Sequence, residues 1–299
     1  MGLACGDALG TTLEFKRPGT FELITDMIGG GPFDLAPGQW TDDTSMALCL
    51  AESLVECCGF DAEDQMQRYL RWYREGHLSC TGVCFDIGNT CRAAIESFER
   101  TGAPMSGSTD PRAAGNGSIM RLAPIAMRWV SDPANAIDIA AQSSRTTHGT
   151  KEAVDGCRLL AAYLVGSLRG VGKEELLAPD GWVREVVEVE DLSPKIASIS
   201  AGSFRAKEPP DIRGSGYVVD CLEAALWAFA GSASFEEGAL MAVNLGDDAD
   251  TTGAVFGQIG GAFYGVDGIP PGWLEKVVMR DRIEELVVGL AVVQEEVGG

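Results

Sequence analysis

The run Gln39-Trp40-Thr41-Asp42-Asp43-Thr44-Ser45-Met46 has a counterpart far along the chain, Gly246-Asp247-Asp248-Ala249-Asp250-Thr251-Thr252-Gly253. Each sets carboxylates and threonine hydroxyls side by side where a helical pattern begins. A single aspartate at a helix start caps free N–H groups and favours the helix dipole. One cap suffices, so the remaining carboxylates and threonines of each run are unexplained by capping. If the two runs meet in the fold, their carboxylates repel unless positive charge lies between them. A set made only of oxygen ligands fits a hard cation, Mg2+ or Mn2+, rather than zinc, and so many carboxylates balance better around two ions than one.

The rest of the composition fits that reading. At 299 residues the chain can bury a sizeable core within one large domain, taken here as residues 1–299. Hydrophobic residues at 45% and charged residues at 22% are an ordinary globular balance, which excludes wholesale disorder. The net charge of −21, from 44 Asp+Glu against 23 Lys+Arg, argues against nucleic acid or anionic membrane as partners and favours cations and guanidinium groups. Nine cysteines without a regular framework point to reduced thiols and a cytoplasmic protein. His77, Cys80 and Cys84 have zinc-like spacing, but the one other histidine is His148 and no second cysteine pair completes a tetrahedral set. No signal peptide and no apolar run of membrane-spanning length is present.

Periodicity predicts helices through most of the chain. Gly2, Gly6 and Gly10 recur every four residues, marking one face of a first helix that another helix can approach closely. Glu14 then leads into a glycine- and proline-rich loop, Pro18 to Gly38, able to move; there it is either a catalytic carboxylate on a lid or an ordinary solvated glutamate. Helices follow from Thr41, stopping at Gly59; from Ala62 to Glu75, capped by Asp61 and ended by Gly76; after Thr90 to Arg100; and from Pro133 to about Ser144. Ala114-Gly115-Asn116-Gly117-Ser118-Ile119-Met120-Arg121 reads as a loop-to-helix junction with accessible N–H groups, a seat for a phosphate or diphosphate that is neither a P-loop nor a dinucleotide fingerprint. His148 precedes a helix reaching about Arg169; a lone histidine usually packs or caps, and here it also stands where a ligand sugar or base would reach it. Val183 to Glu190 alternates enough for a short strand, with charged helix the other reading. Ser234 and Glu237 form a capping box, the second aspartate run opens a glycine-rich helix, and one amphipathic helix runs from about Trp273 to Gln294. The fold class is all-α.

In order, Gly6-Asp7-Ala8-Leu9-Gly10 with Glu14, Trp40 to Thr44, Asp86-Ile87-Gly88, Gly115 to Arg121, Thr147-His148-Gly149 and Asp248 to Thr251 resemble the ADP-ribosylglycohydrolase family, which includes the dinitrogenase reductase-activating glycohydrolases. The matches run from the first residue to about residue 265, and the ordered set is far more specific than any single motif. The resemblance implies a compact, single-domain orthogonal helical bundle and a binuclear Mg2+ or Mn2+ site. Its ligands would be Thr41, Asp42, Asp43, Asp248, Asp250 and Thr251. Glu14 and Asp86 match the acidic residues tied to catalysis, Asp86 on the target side in arginine-directed members. Asn89, Asn116, Gly117, Ser118, Met120 and His148 match substrate-binding positions around the diphosphate and the ADP-ribose pocket. Two departures stand out: Asp247 occupies a place where many relatives have glycine and is not assigned as a ligand, and the opening helix is short for the family.

The implied activity is hydrolysis of the N-glycosidic bond between ADP-ribose and arginine on a modified protein, by a monomeric enzyme. A carboxylate on the cation-facing side favours the guanidinium leaving group over the alternatives, which are O-linked serine, poly-ADP-ribose or a free ADP-ribose derivative. A non-catalytic structural role is the remaining reading, and retention of both aspartate runs argues against it.

Overall fold

The computed structural model describes residues 1–297, with side chains through residue 291. Among the described residues there are fifteen α-helices and no strand: α1 (Gly2–Gly10), α2 (Asp42–Glu56), α3 (Ala62–Glu75), α4 (Asn89–Thr101), α5 (Ala123–Arg128), α6 (Pro133–Thr147), α7 (Lys151–Leu168), α8 (Lys173–Leu177), α9 (Trp182–Val186), α10 (Pro194–Ser200), α11 (Val218–Gly231), α12 (Phe235–Val243), α13 (Ala249–Tyr264), α14 (Pro271–Lys276) and α15 (Arg280–Val297). The all-α class expected from periodicity is what the chain adopts. None of these helices is long and apolar enough to cross a membrane.

α13 is the central element, packed against α1, α2, α7, α11 and α12. Its approach to α1 is set by glycine. A Cβ at Gly6 would lie 2.0 Å from the Gly253 carbonyl oxygen, and one at Gly2 would lie 2.2 Å from that of Gly257. These are backbone atoms, so nothing can rotate away, and the four-residue glycine spacing is a requirement of the helix pair. The close approach carries the start of α13, and with it the second aspartate run, against the C-terminal turn of α1: a Cβ at Gly10 would meet Asp250 Cα at 2.4 Å.

Several boundaries differ from the periodicity. α2 ends at Glu56, and Cys58, not Gly59, takes the left-handed conformation (φ 53°). Residues 183–190 form no strand: Val183 and Val187, four apart and both buried, show the helical spacing of α9 and the residue after it. The segment 116–121 is a series of turns, and α5 begins only at Ala123. The last amphipathic stretch is two helices, because Val278 donates to the Gly38 carbonyl and accepts from Trp40 Nε1, pulling residues 277–279 out of helical register.

Replacing Gly6 by alanine should therefore cost more than an ordinary overpacking change, about 3 kcal/mol or beyond, because two backbones must separate. Urea denaturation of Gly6→Ala measures this; a midpoint equal to that of the wild type would contradict the packing described.

Candidate active site

Neither aspartate run caps its own helix. Thr41, the N-cap of α2, and Asp248, the N-cap of α13, make no side-chain cap hydrogen bond. For α2 the task falls to Asp7 on α1. Its Oδ1 accepts from Thr41 N (2.9 Å) and Thr41 Oγ1 (3.0 Å), and its Oδ2 accepts from Thr44 N (3.0 Å) and Thr44 Oγ1 (2.6 Å). Burial lifts the Asp7 carboxyl to about 6, with the four donors opposing that rise. Asp7 positions the first aspartate run although no motif assigns it a role; its signal in the sequence is an acid beside Gly6, within a face of small residues that has to be buried.

With capping done elsewhere, the oxygens of both runs converge. Thr41 Oγ1 lies 3.3 Å from Asp43 Oδ2 and 3.2 Å from Asp250 Oδ2, and Thr251 Oγ1 lies 3.3 Å from Asp43 Oδ2. Carboxylate oxygens of Asp42, Asp43 and Asp250 lie within 4.8 Å of one another, as do those of Glu14, Asp86 and Asp250. Asp248 is half-buried at the edge of this cluster, and its Oδ2 accepts from Asn116 Nδ2 at 2.6 Å. Asp247 is exposed and turned away, with φ 57°, its backbone paired to Phe15 N and Lys16 O. The left-handed conformation is the physical reason a glycine suits that position.

Glu14 is not a solvated loop residue. It is only 2% exposed, in the turn after α1, with its Oε2 buried and without a partner. Burial and the neighbouring Asp86 raise its carboxyl to about 10, and it hydrogen-bonds Asp86. Asp86, half-buried with φ 58°, is raised to about 7 by burial and by Asp248, with the Glu14 hydrogen bond opposing. Asp42, Asp43 and Asp250 are pushed well above the usual carboxylate range, chiefly by burial and then by one another and their acidic neighbours.

The residues fit a hard cation. Asp43 Oδ1, Asp250 Oδ1 and Glu14 Oε2 are buried acceptors without a hydrogen-bond partner, and buried orphaned acceptors are rare unless an ion or water satisfies them. The donor set is all oxygen, as Mg2+ or Mn2+ prefers.

Glu14, Asp42, Asp86 and Asp248 line a cavity of about 330 Å3 together with Asn89, Asn116, Gly117, Met120 and His148. Ser118, 2% exposed, lies behind it, bonded to Ser144. The Asn116 N–H donates to the Gly216 carbonyl and those of Ile119 and Met120 to the Asn116 carbonyl, so what the 116–121 turns can offer an anion is the Gly117 and Ser118 N–H groups, not a helix terminus. An orphaned carboxylate cluster beside a glycine-lined turn fits a sugar and a diphosphate. A family model described as ADP-ribosylglycohydrolase matches residues 1–298. The chain belongs to the ADP-ribosylglycohydrolase family. Among curated members of the family, the ADP-ribosylarginine hydrolase Tri1 of Pseudomonas putida (strain GB-1) is 50% identical over 96% of this chain and 75% of its own length. The ADP-ribosyl-[dinitrogen reductase] glycohydrolase of Rhodospirillum rubrum is 32% identical over 94% and 89%. A solved structure titled ADP-ribosylglycohydrolase-related protein complex superposes with a TM-score of 0.86 at 45% identity, covering 98% of this chain and 95% of that one.

The raised carboxyls fix a sign for stability. An acid whose folded pKa exceeds its unfolded value, about 4 for aspartate, holds its proton more tightly when folded, so its contribution is full below pH 4 and fades as pH rises through the folded value. Cation-free protein should thus lose stability from about pH 4 upward through 6, 7 and 10, the values of Asp7, Asp86 and Glu14. Asp250→Asn should raise the cation-free melting temperature by about 2–4 °C at pH 8 and by less at pH 5. Calorimetry in chelator tests this, and a variant less stable than wild type at pH 8 would contradict the crowding.

Proposed function

We propose that this family member hydrolyses the N-glycosidic bond between ADP-ribose and arginine on a modified protein, reversing mono-ADP-ribosylation. The observation that carries the reading is the Glu14–Asp86 pair at the cavity, set against the orphaned oxygens of Asp43 and Asp250. An anionic wall of this kind suits a guanidinium leaving group, and two relatives spanning most of this chain, at 50% and 43% identity, carry the name ADP-ribosylarginine hydrolase.

Thr41, Asp42, Asp43, Asp248, Asp250 and Thr251 would hold the cations. We take these to be two ions, Mg2+ or Mn2+, because Asp250 belongs to both groups of three carboxylates. Ions held there would supply positive charge for ribose hydroxyls and for the ionisation of water.

The chain's own residues do the rest. Burial and mutual repulsion favour a proton held by the Glu14–Asp86 pair, with Asp86 on the side that faces the guanidinium. As the C–N bond breaks, its electron pair goes to the departing nitrogen, which takes a proton from this pair. Water adds to the anomeric carbon and returns a proton to the pair. The carboxylates around the sugar stabilise the oxocarbenium character that develops. Gly117 and Ser118 present backbone N–H groups to the diphosphate, which lets an acidic protein bind an anion without surface lysines. Asn89, Asn116 and Met120 line the same cavity and shape it around the ligand.

Release of ADP-ribose from arginine-linked and serine-linked substrates, with and without chelator, tests the reading. Arginine-linked turnover should fall at least about a hundredfold with chelator, in Asp250→Asn and in Asp86→Ala. Equal turnover of the two linkages would remove the arginine preference, and undiminished turnover in Asp250→Asn would remove the metal assignment.

A further inference from the structure

Arg121 is fully buried, and its partners are neutral. Its Nη1 donates to the Gly117 carbonyl (2.9 Å), its Nη2 donates to Thr147 Oγ1 (2.8 Å), and its guanidinium stacks over the Tyr69 ring at 4.7 Å. Thr147 Oγ1, itself fully buried, lies 2.9 Å from His148 Nδ1. Proton accounting along this line has one consistent solution. Arg121 can only donate, so the threonine oxygen accepts from it. The threonine's own hydrogen then needs an acceptor, and the neighbour within reach is His148 Nδ1. Were Nδ1 protonated, two donors would face the threonine oxygen and its own hydrogen would be buried without a partner, at a cost of roughly 1–3 kcal/mol.

With Nδ1 accepting, the ring proton belongs on Nε2. That atom faces the gap left by two glycines: a Cβ at Gly115 would sit 3.4 Å from Nε2, and one at Gly117 would sit 2.7 Å from Cε1 and 3.2 Å from Nε2. His148 lines the cavity with both glycines. Its backbone is clamped as well, with N donating to Ser144 O and O accepting from Ser144 Oγ. Burial and the nearby Arg121 charge lower the imidazole to about 3, so the ring is neutral in any ordinary buffer.

We infer that Arg121 and Thr147 are positioning residues that lock His148 as the Nε2–H tautomer, making it a neutral hydrogen-bond donor to an acceptor oxygen of the ligand in this cavity. The same Arg121 holds the Gly117 carbonyl, so one buried cation sets both the diphosphate turn and the donor opposite it. The identity of that ligand as ADP-ribose rests on the function proposed above; the tautomer does not.

Two histidines make the test tractable. Nitrogen-15 NMR of the wild type should show one ring, His148, with Nδ1 unprotonated and Nε2 protonated, still neutral at pH 5. Thr147→Val should lose the single tautomer and weaken ADP-ribose binding about tenfold, whereas Thr147→Ser, which keeps the hydroxyl, should match wild type in both. An Nδ1–H ring in the wild type overturns the relay without reference to any variant or ligand. So does wild-type affinity in a folded Thr147→Val, or equal loss in the serine and valine variants. Wild-type protein that fails to bind ADP-ribose yet shows the Nε2–H ring would count against the proposed ligand and leave the relay standing.

Discussion

Everything in the cavity depends on one carboxylate that never faces it. Asp7 takes four hydrogen bonds from Thr41 and Thr44 and so replaces the cap that α2 does not supply for itself. A hydrogen bond to a charged group contributes roughly 1.5–3 kcal/mol, whereas burying a carboxylate costs several. The two nearly offset each other, which is why Asp7 rises to about 6 and is still largely ionised at neutral pH. Its consequence is geometric: Thr41, Asp42 and Asp43 are released from capping and turned toward Asp250 and Thr251. Asp7 can do this only because the glycines of α1 and α13 let the two backbones touch.

The resulting cluster is unfavourable by itself. Buried carboxylates within 4.8 Å of one another raise each other's pKa values, and three of their oxygens find no donor. A fold keeps such a cost where function requires it. Under the proposed function a bound cation offsets that cost, and folding, cation binding and catalysis would then be linked through the same oxygens. The other half of the cavity is built on the opposite principle. Around Arg121, Thr147 and His148 the polar groups are largely paired, with both terminal nitrogens of Arg121 donating and only its Nε without a partner, and the charge is buried among carbonyls, hydroxyls and an aromatic face. One side is poised to gain ligands, and the other already has most of its partners.

Much of this was legible in the sequence, for identifiable reasons. The two aspartate runs announce themselves because their carboxylates exceed what capping needs, and the glycine spacing of α1 is a local signal of close helix packing. Their convergence is a hypothesis that the surplus charge suggests and the family resemblance strengthens, whereas the grouping of Glu14 and Asp86 with Asp250 is long-range and was not legible. The role of Asp7 was not legible, since its partners lie 34 and 37 residues away. Nor was the burial of Glu14, which a glycine-rich neighbourhood disguised as a surface loop. The 116–121 turns and the break before α15 escaped for a similar reason: each is decided by hydrogen bonds to distant segments, to the Gly216 carbonyl in one case and to Gly38 and Trp40 in the other. Local periodicity carries no trace of those partners.

The central claim is that the two aspartate runs meet to hold divalent cations. Crystals grown or soaked with Mn2+ and measured for anomalous scattering test it most directly. The account predicts anomalous peaks among the side-chain oxygens of Thr41, Asp42, Asp43, Asp248, Asp250 and Thr251. Absence of any peak there at a Mn2+ concentration that restores activity, or peaks confined to surface carboxylates, would contradict it.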